Sequence, residues 1–499
     1  MTFLHQVSNT FKANRGSYVL YLFSYLLILL IYADLTRLPI TILSLLLLLG
    51  FLLISFKPKG LGKATALIII TLGGASALLS PVYDVPDESA HFQRSLFLSE
   101  GDVNLSNNPS QLLQSSDFQE FDKNLGKPLP LTNLDKIKHS HKEIPNPRLT
   151  ITNSYYILGY IPQAIGLTIG NALNINLKTS FILGRLLNVI CYALIVFLAI
   201  KIAGALGQII AVSALLPMNI YLAGSFSQDP VGIGIMLLIA ALFCHIYLSE
   251  KAIGFKPFLA FILLCASLIT IKLPFMLLTF LIVFIPNKKF DFGRYPVWLV
   301  KFVAIVLVCL GTIFWGQLYS EVVNVNYMQL DTLSNVDAVR QIKSVINKPL
   351  TYFPVIMREI VMRIIYPANI NLFGRLTYGP TFLIAYQILF LGLVVLNNAH
   401  KITMNIMSRF ALALVILGLF TGAVLAMYLT WTPVGSRVVE GMQDRYSLGV
   451  VVFMLILMVS NNKLFKQCQD MLSDRIILNL SICWIYTMLL STLAHYYTF

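Results

Sequence analysis

The stretch Pro81-Val82-Tyr83-Asp84-Val85-Pro86-Asp87-Glu88-Ser89-Ala90-His91-Phe92-Gln93-Arg94 follows three apolar segments and opens the longest polar region of the chain. Pro86 cannot continue a preceding helix but suits the first turn of a new one. If Asp87 opens a helix, His91 lies one turn on and Arg94 two turns on, on the same face. We therefore expect a membrane helix that ends just before this stretch, then a turn, then a short helix that presents the Asp87–Glu88 pair together with the histidine and the arginine.

The composition is that of an integral membrane protein. Of the 499 residues, 57% are hydrophobic and only 12% are charged, whereas a soluble domain carries about a quarter charged residues. The mean hydropathy is +0.77, and many segments reach the roughly 20 apolar residues that span a bilayer. The net charge of +14 comes from bases in short loops between apolar spans, a distribution that indicates membrane topology rather than a nucleic-acid surface. The six cysteines fall mostly in apolar spans without motif spacing, which indicates neither a disulfide framework nor a metal site.

The order of apolar and basic segments predicts one all-α membrane domain over residues 1–499. The basic N-terminus and the basic loop 57–63 are expected in the cytoplasm. Segment 81–152 is then the first extracellular loop, with a short helix that begins near Asp87. Segment 319–378 is the second, with short helices at 337–346 and 355–365. About thirteen spans are expected, at 17–33, 39–56, 63–80, 181–202, 206–224, 230–249, twice within 257–286, and at 297–318, 379–396, 409–430, 446–461 and 476–497.

Two segments are irregular. Residues 155–173 are apolar but interrupted by Pro162 and three glycines, and if this segment spans the bilayer, the later basic loops fall outside. We favour a re-entrant or interfacial element, because irregular backbone occurs at membrane depth where it lines a cavity. The run 257–286 is too long for one ordinary span and too short for two, and it is broken at Lys272-Leu273-Pro274. We expect a hairpin of two short helices there, with Lys272 near the outer side.

This topology brings the conspicuous polar groups to one face of the membrane. Ionisable groups at membrane depth are costly and usually face a cavity. A carboxylate cluster opposite lysine and arginine suits a site that activates a hydroxyl next to a lipid-linked phosphate, because the carboxylate accepts the hydroxyl proton and the cations neutralise the phosphate that leaves. The groups outside the opening stretch are Asp229 at the end of a span, Lys272 at the hairpin, and Arg437, Glu440, Asp444 and Arg445 in the last outer loop.

Each of these groups also has a simpler structural explanation. The acidic pair can complement a helix dipole, Asp229 can cap a helix ahead of a proline, and Lys272 can extend its ammonium group to the membrane interface. His91 is more often a packed histidine than a ligand. It could also join the acidic pair in holding a divalent cation, but a third firm ligand is missing. Two further histidines, His139 and His141, are expected to be solvated.

Six motifs together resemble one known family. Residues 86–94 resemble the P-D-E-x-x-H-F-x-R signature of a bacterial polytopic membrane family, domain of unknown function 2142, which looks like the GT-C glycosyltransferases. The other motifs are individually weak and persuasive by their order. They read YYILGYIPQA at 155–164, GRLLN at 184–188, SFSQD at 225–229, KLPF at 272–275 and MQDRY at 442–446. The chain departs from the family pattern where Asp444 precedes the final Arg-Tyr and where Pro230 replaces a small residue.

The resemblance implies a GT-C-like bundle of about thirteen helices in a bacterial plasma membrane, with the site on the extracellular face. It implies transfer of a sugar from a polyprenyl-phosphate donor to a cell-surface glycopolymer or lipid-linked glycan, with inversion of the anomeric centre. The expected catalytic residues are Asp87 and Glu88, supported by His91, Arg94 and Asp229. The residues expected to bind the donor phosphate are Lys272, Arg445, Arg437 and Arg185.

Two other classes of function stay open. A transporter or flippase would bind a lipid-linked saccharide in the same cavity without reaction. Such proteins are expected to carry paired broken helices in two related halves, whereas the sequence has one clear broken hairpin, at 272–274. A noncatalytic subunit of a cell-wall polysaccharide assembly complex is the third and weakest alternative.

Overall fold

Helices dominate the computed structural model, which describes residues 2–32, 39–322, 335–381 and 383–497. A two-stranded antiparallel sheet joins β1 (Leu113–Ser115) to β2 (Glu143–Pro145). The helices are α1 (Thr2–Tyr32), α2 (Ile40–Phe56), α3 (Leu61–Leu79), α4 (Glu88–Ser99), α5 (Asp117–Asp122), α6 (Ile161–Ala172), α7 (Leu177–Ala203), α8 (Gly207–Ala214), α9 (Pro217–Ala223), α10 (Asp229–Leu248), α11 (Phe255–Ile269), α12 (Leu281–Phe284), α13 (Val297–Val322), α14 (Ala338–Asn347), α15 (Pro349–Ile365), α16 (Leu383–Asn397), α17 (Ile406–Thr430), α18 (Val451–Val459) and α19 (Asp474–Tyr496).

Seven helices in the described part of the chain are long and apolar enough to cross a membrane. The prediction of an all-α membrane protein is thus confirmed. The seven are α1, α3, α7 with its continuation into α8, α10, α13, α17 and α19. Four more of the expected thirteen spans are shorter apolar helices, namely α2, α11, the 273–284 segment and α16.

The two remaining expected spans are not single helices. Residues 206–224 divide into α8 and α9, because Pro217 has no backbone N–H and its ring clashes with the preceding turn of a continuous helix. Residues 446–461 begin as 3-10 helix and become α-helical only in the nine residues of α18. The count of thirteen membrane-spanning helices is therefore not reproduced by helices of spanning length in the described residues.

The expected break in the 257–286 run is confirmed. Helix α11 ends at Ile269, and the backbone of Lys272 is extended, with φ −151° and ψ 112°. The chain continues as 3-10 helix from Leu273 to Phe280 and then as α12. Pro274 lies in the first turn of the second half, where the missing N–H of proline is tolerated. The break leaves the Lys272 side chain at the junction of two short helices.

Helix α6 is too short to span a bilayer. Its 12 residues extend about 18 Å, whereas the hydrocarbon core of a bilayer is about 30 Å thick. A tight turn joins it to α7, and glycines bring the two helices into close contact. A Cβ atom added to Gly166 would lie 2.5 Å from the Gly184 nitrogen, and one added to Gly170 would lie 2.1 Å from Ser180 Oγ. The 155–173 segment therefore forms a short helical hairpin with the start of α7.

Two helices lie at the centre of the bundle. In the most apolar 18-residue stretch of each helix, 83% of the residues of α10 and 89% of those of α19 are buried, whereas only 17% of those of α13 are. Helix α13 therefore lies at the periphery, where its exposed apolar side chains can face lipid. Because α10 begins at Asp229, the central helix places a carboxylate at one end of the packed core.

The 81–152 segment forms a compact cap rather than an open loop. Five aromatic rings pack between α4, α5 and α7. The centre of the Phe121 ring lies 4.5 Å from that of Phe92 and 4.8 Å from that of Phe181. Tyr83 and Phe226 complete this cluster. It contains the aromatic residues of the opening stretch, so the turn before α4 is held by ring packing on both sides.

The expectation that His139 is solvated is wrong. Its Nδ1 lies 2.8 Å from Asp117 Oδ2 and its Nε2 lies 2.7 Å from Ser180 Oγ. This connectivity matches that of a nucleophilic triad, but Ser180 is fully buried and no substrate can reach its hydroxyl. The contact therefore joins the cap to α7. His141 is exposed, as expected.

The helices expected in the 319–378 segment are confirmed. Helix α14 covers the range expected at 337–346, and α15 begins six residues before the range expected at 355–365. Residues 323–334 of this segment, and residues 33–38 between the first two expected spans, lie outside the described residues. Beyond α15 the chain makes a tight turn at 373–378, which packs against the cap.

Candidate functional site

Asp87 ends the turn before α4. It is the N-cap residue of the helix, and its backbone is left-handed, with φ 62° and ψ 10°. This conformation costs a non-glycine residue roughly 1–2 kcal/mol. The Asp87 carbonyl accepts the first helical bond from His91 N–H at 3.1 Å, but the Asp87 carboxylate makes no capping hydrogen bond. The side chain therefore does not serve the helix end and is free for other partners.

Glu88 points away from Asp87 and pairs with Arg185. The two form a bidentate ion pair, with Nε to Oε1 and Nη2 to Oε2 both at 2.9 Å, and both side chains are fully buried. Arg185 also donates to three backbone carbonyls, those of Ala77, Ser80 and Pro81. The Glu88 carboxylate turns toward α7, because successive helical residues are about 100° apart, although both residues of the acidic pair border the same cavity.

Arg445 joins the cap to the membrane helices. Its Nη2 donates to Asp87 Oδ2, and its Nη1 lies 3.3 Å from Asp229 Oδ2. Lys272 Nζ donates to the other oxygen of Asp229 at 2.8 Å. Gln443 accepts a bond from Arg445 Nε at 2.6 Å and fixes the guanidinium plane. We call Asp87, Asp229, Lys272 and Arg445 the charge cluster, and its four members come from four distant parts of the chain.

The charge cluster contains two carboxylates and two cations and is electrically balanced. More than half of the Asp87 side chain, 58%, is exposed, whereas Asp229 and Arg445 are buried. The protein around the Asp87 carboxyl partly desolvates it and so opposes its ionisation, but the Arg445 guanidinium outweighs this effect and lowers the pKa of the carboxyl below its ordinary value. Asp87 is therefore ionised at neutral pH, and within the described residues the cation that it pairs with, Arg445, is shared with Asp229.

His91 and Arg94 lie behind the charge cluster, against Tyr160. His91 Nδ1 lies 2.8 Å from the Tyr160 hydroxyl, and burial lowers the pKa of His91 to about 4. Arg94 is buried, with its guanidinium carbon 5.5 Å from the centre of the Phe97 ring. Within the described residues its three nitrogens have no hydrogen-bond partner. The structure thus places His91 close enough to Asp87 for an electrostatic interaction, and neither His91 nor Arg94 has a described hydrogen bond to Asp87.

The four residues expected to bind the donor phosphate fall in three places. Lys272 and Arg445 converge on Asp229. Arg185 is held by Glu88, with all its donors in use. Arg437 is exposed in the loop before Arg445, and no ion pair of the described residues includes it. The role of each in phosphate binding stays a prediction.

Two spaces meet at the charge cluster. The larger is a polar cavity of about 390 Å³, which opens outward from Asp87. It is lined by Val85, Pro86, Asp87, Glu88, Ser89, Arg375, Leu376 and Gln443. The smaller is a narrow cleft of about 10 Å³ on the other side of Arg445, lined by Asp229, Gly232, Ile233, Ile271, Lys272, Phe275, Arg445, Tyr446 and Gly449. We call them the outer cavity and the inner cleft.

Asp87 and Arg445 separate these two spaces. The ring of Tyr446 forms a wall of the inner cleft, 4.7 Å from Lys272 Nζ and 5.2 Å from the Arg445 guanidinium carbon. Among the described residues, no group of three or more histidine, cysteine or acidic side chains is arranged to hold a metal ion. The arrangement can accept a proton on Asp87 and bind an anion between Lys272 and Arg445.

Residues 70–454 match the model of a family described as "Predicted membrane protein (DUF2142)". The chain belongs to the DUF2142 family. The matched range contains the cap, the charge cluster and both spaces, and that description concerns membrane location alone. No curated protein and no solved structure matches the chain.

The site of this DUF2142 protein also contains residues to which the sequence analysis assigned no role. Gln443 and Tyr446 flank Arg445 and lie within the MQDRY motif, and Tyr160 lies within the YYILGY motif, so the motifs were the signal that could have identified them. Arg375 lines the outer cavity but belongs to none of the motifs. Nothing in its sequence neighbourhood distinguishes it from an ordinary surface arginine.

A buried acidic residue ties the site of this DUF2142 protein together. Asp84 accepts hydrogen bonds from the hydroxyls of Tyr221, Tyr378 and Tyr496, at 2.6, 2.9 and 2.5 Å. Burial raises the pKa of Asp84, and the three hydroxyl donors oppose that rise. We call this group the tyrosine hub. It connects the stretch before Asp87 to α9, to the 373–378 turn and to the end of α19.

Proposed function

We propose that this DUF2142 protein is a membrane glycosyltransferase. It would move a sugar from a polyprenyl-phosphate donor to a hydroxyl of a cell-surface glycopolymer or lipid-linked glycan. The observation that carries the proposal is the position of Asp87, whose carboxylate faces the outer cavity and shares Arg445 with the inner cleft. A transferase requires such a partition, because the acceptor hydroxyl and the leaving phosphate must approach one carbon from opposite sides.

In the proposed reaction the acceptor hydroxyl enters the outer cavity and gives its proton to Asp87 as its oxygen bonds to the anomeric carbon. The bond from that carbon to the phosphate oxygen breaks, and its electron pair leaves with the polyprenyl phosphate. Lys272 and Arg445 neutralise the charge that develops on the leaving oxygen. Attack from the side opposite the leaving group inverts the anomeric centre.

Arg445 couples donor binding to the reactivity of Asp87. In the structure its guanidinium is divided between Asp87 and Asp229. A donor phosphate in the inner cleft competes with Asp87 for the same donors. When Arg445 turns to the phosphate, Asp87 loses the cation that lowers its pKa. Its pKa then rises, and the carboxylate becomes a stronger base at the moment when the donor is in place.

The other expected site residues act through these two. Asp229 holds Lys272 and Arg445 at the inner cleft. Glu88, through its ion pair with Arg185, fixes the start of α4 against α7 and so sets the direction of the Asp87 side chain. His91 stays uncharged at neutral pH and adds no positive charge that would compete for the donor phosphate.

The proposed site faces the extracellular side of a bacterial plasma membrane, with the N-terminus in the cytoplasm. The basic loop 57–63 at the opposite end of α3 supports this orientation. Ile233, Ile271 and Phe275 give the inner cleft an apolar lining. The cleft would have to widen from its present volume of about 10 Å³ to admit the first isoprene units of a lipid donor. The four shorter apolar helices would add to the seven long ones in a larger GT-C-like bundle.

The test is sugar transfer in reconstituted membranes. The full chain in proteoliposomes receives a polyprenyl-phosphate sugar with a radiolabel in the sugar and a crude cell-surface glycan fraction as acceptor. We expect labelled glycan with the wild-type protein and a loss of about 10³-fold or more with Asp87→Asn. Asp102→Asn, an exposed aspartate of the same segment, is the matched control and should retain full activity.

Two results would refute the proposal. Full transfer by Asp87→Asn would remove Asp87 from the mechanism. Movement of the labelled lipid across the bilayer by the wild-type protein, with no new glycosidic bond, would assign the site to a transporter. Loss of transfer in the Asp102→Asn control would show that the assay reports general damage to the cap.

A further inference from the structure

The 373–378 turn holds an unusual backbone at the edge of the outer cavity. Gly374, Arg375 and Leu376 are consecutive left-handed residues, with φ 54°, 52° and 64°. A bridge between Phe373 and Tyr378 closes the turn, with N–H to O distances of 2.7 and 3.3 Å. Only glycine adopts this conformation without cost. Strain of this kind persists where the surrounding structure enforces it, and it concentrates at binding sites.

The tyrosine hub enforces this conformation. Gly374 N–H donates to the Tyr221 hydroxyl at 2.8 Å, and Tyr221 in turn donates to Asp84. Tyr378 at the other end of the turn donates to the same Asp84 oxygen. Asp84 lies three residues before Asp87, so one buried carboxylate sets the position of the turn relative to the proposed base.

Arg375 is the cation that this turn displays. Of the residues that line the outer cavity, all in the described part of the chain, it alone is cationic. Its side chain is exposed, and none of the ion pairs among the described residues includes it. Among the other cations of the site, Arg185 is paired with Glu88, and both Lys272 and Arg445 are paired within the cluster. Arg94 is buried and does not line the outer cavity.

We propose that the outer cavity is the acceptor subsite and that Arg375 binds an oxyanion of the acceptor, a phosphate or a carboxylate on the sugar next to the reacting hydroxyl. This inference rests on the proposed function and gives its acceptor a chemical class, an anionic saccharide. A volume of about 390 Å³ is within the range of ligand sites, about 300–1,000 Å³. Val85, Pro86 and Leu376 supply apolar surface for the sugar ring, and Arg375 supplies the fork that fits an oxyanion.

Direct binding tests this subsite without any transfer reaction. The full chain in nanodiscs is titrated with glucose, glucuronic acid and glucose 6-phosphate, and binding is followed by saturation-transfer NMR. We expect both anions to bind the wild-type protein about tenfold or more tightly than glucose, because a hydrogen-bonded charged pair is worth roughly 1.5–3 kcal/mol. Arg375→Asn should bind all three equally. Asparagine tolerates a left-handed backbone, so this variant should melt at or above the wild-type temperature.

Two further variants define the result. Arg375→Lys keeps the positive charge and should retain part of the anion preference. Arg148→Asn, at an exposed arginine of the cap that lines neither space, should retain all of it. Equal binding of the three sugars to the wild-type protein, no measurable binding of the two anions, or an anion preference that survives Arg375→Asn would each overturn the proposal.

A competition arm separates acceptor from donor. If a short-chain polyprenyl phosphate displaces the anionic sugars from the wild-type protein, Arg375 serves the donor phosphate and the acceptor assignment is wrong. If the anions and the polyprenyl phosphate bind together, the assignment stands. Anion binding at Arg375 in a protein that transfers no sugar would refute the proposed function alone, since these measurements do not depend on turnover.

Discussion

His91 is a buried base that stays neutral next to two carboxylates. Its ring nitrogen contacts the Tyr160 hydroxyl, and no solvent reaches most of its surface. Burial therefore dominates over the attraction of Asp87 and Asp229 and lowers the pKa of His91 from 6.5 to about 4. A group with a lowered pKa of this kind links folding to pH, because the unfolded chain binds a proton that the folded chain excludes.

The stability of the protein should accordingly fall in mild acid. Between pH 6.5 and 4 the unfolded histidine is protonated and the folded one is not, so the contribution of His91 is fully present above pH 6.5 and is lost as the pH falls toward 4. A shift of this size corresponds to roughly 3 kcal/mol. Thermal unfolding in nanodiscs at a series of pH values should show a steeper acid loss for the wild-type protein than for His91→Gln.

The matched control is His141→Gln, which removes an exposed histidine from the same cap. Its pH dependence should follow that of the wild-type protein. If His91→Gln and the wild-type protein lose stability in parallel between pH 6.5 and 4, the histidine is accessible to protons in the folded state.

Single residues of the site differ in how far the sequence predicted them. Membrane topology was enough to predict that Asp87, Lys272 and Arg445 lie on one face, and in the structure all three belong to the charge cluster. The direction of Glu88 depends on which helix packs beside α4, which spacing along the chain does not specify. Arg375 is significant only because distant tyrosines hold its turn at the cavity, and no local pattern reports such a contact.

At the scale of elements, the α6–α7 hairpin depends on small residues. The backbones approach so closely that a Cβ at Gly166 would lie 2.5 Å from the nitrogen of Gly184. Helices in membranes gain much of their association energy from such close contacts. The position of α6 also matters for the site, because Gln163 on this helix donates to the carbonyl of Ser227, just before Asp229.

Gly166→Ala should therefore destabilise the protein by about 1–3 kcal/mol, the usual effect of overpacking a tight contact. The change adds one methyl group that must push two helices apart. The measurement is the midpoint of thermal unfolding in nanodiscs, together with the residual transfer activity, which should fall as Asp229 moves.

Gly392→Ala provides the control at this scale. It also lies in an apolar helix, α16, but no atom is within 4 Å of the position its Cβ would take. Its midpoint should be unchanged or higher, since alanine favours helix. A loss in Gly392→Ala as large as in Gly166→Ala would show that the helix contact is not the cause.

The sequence predicted long apolar elements better than broken ones. Helices α10, α13, α17 and α19 lie where hydropathy placed them, because a run of more than 18 apolar residues has few alternatives to a helix in lipid. The break at Lys272 was also visible, as a proline after a charge within an apolar run. The division of 206–224 was not expected, because mean hydropathy does not detect the break that Pro217 imposes on a helix.

At the scale of the molecule, the tyrosine hub joins parts of the chain that are far apart in sequence. Asp84 and Tyr496 are 412 residues apart in sequence and 2.5 Å apart at their oxygens. Tyr221 and Tyr378 add the middle of the chain to the same carboxylate. Each such bond to a charged acceptor is worth roughly 1.5–3 kcal/mol. The hub therefore supports the relative position of the cap, the turn and the last helix.

Asp84→Asn should destabilise the whole protein by about 3 kcal/mol, because a neutral amide binds three hydroxyl donors less strongly than a carboxylate does. It should also remove the anion preference of the outer cavity, since the 373–378 turn is held through this residue. Thermal unfolding and the sugar titrations measure the two effects in the same preparation.

Tyr386→Phe serves as its control. It removes a hydroxyl that donates to a single backbone carbonyl, that of Leu480, at 3.2 Å, so about 1 kcal/mol should be lost and the sugar titrations should not change. Asp84→Asn protein with an intact anion preference would show that the turn keeps its place without the hub.

The hub also has a consequence for biosynthesis. Asp84 leaves the ribosome before Tyr496, which follows 412 residues later in the chain. At about 5–20 residues per second, roughly 20–80 s separate the two. Throughout that time the Asp84 side chain in the cap lacks one of its three hydroxyl donors. The cap therefore folds first without the contact that joins it to α19, and that contact forms only after the helix has been made.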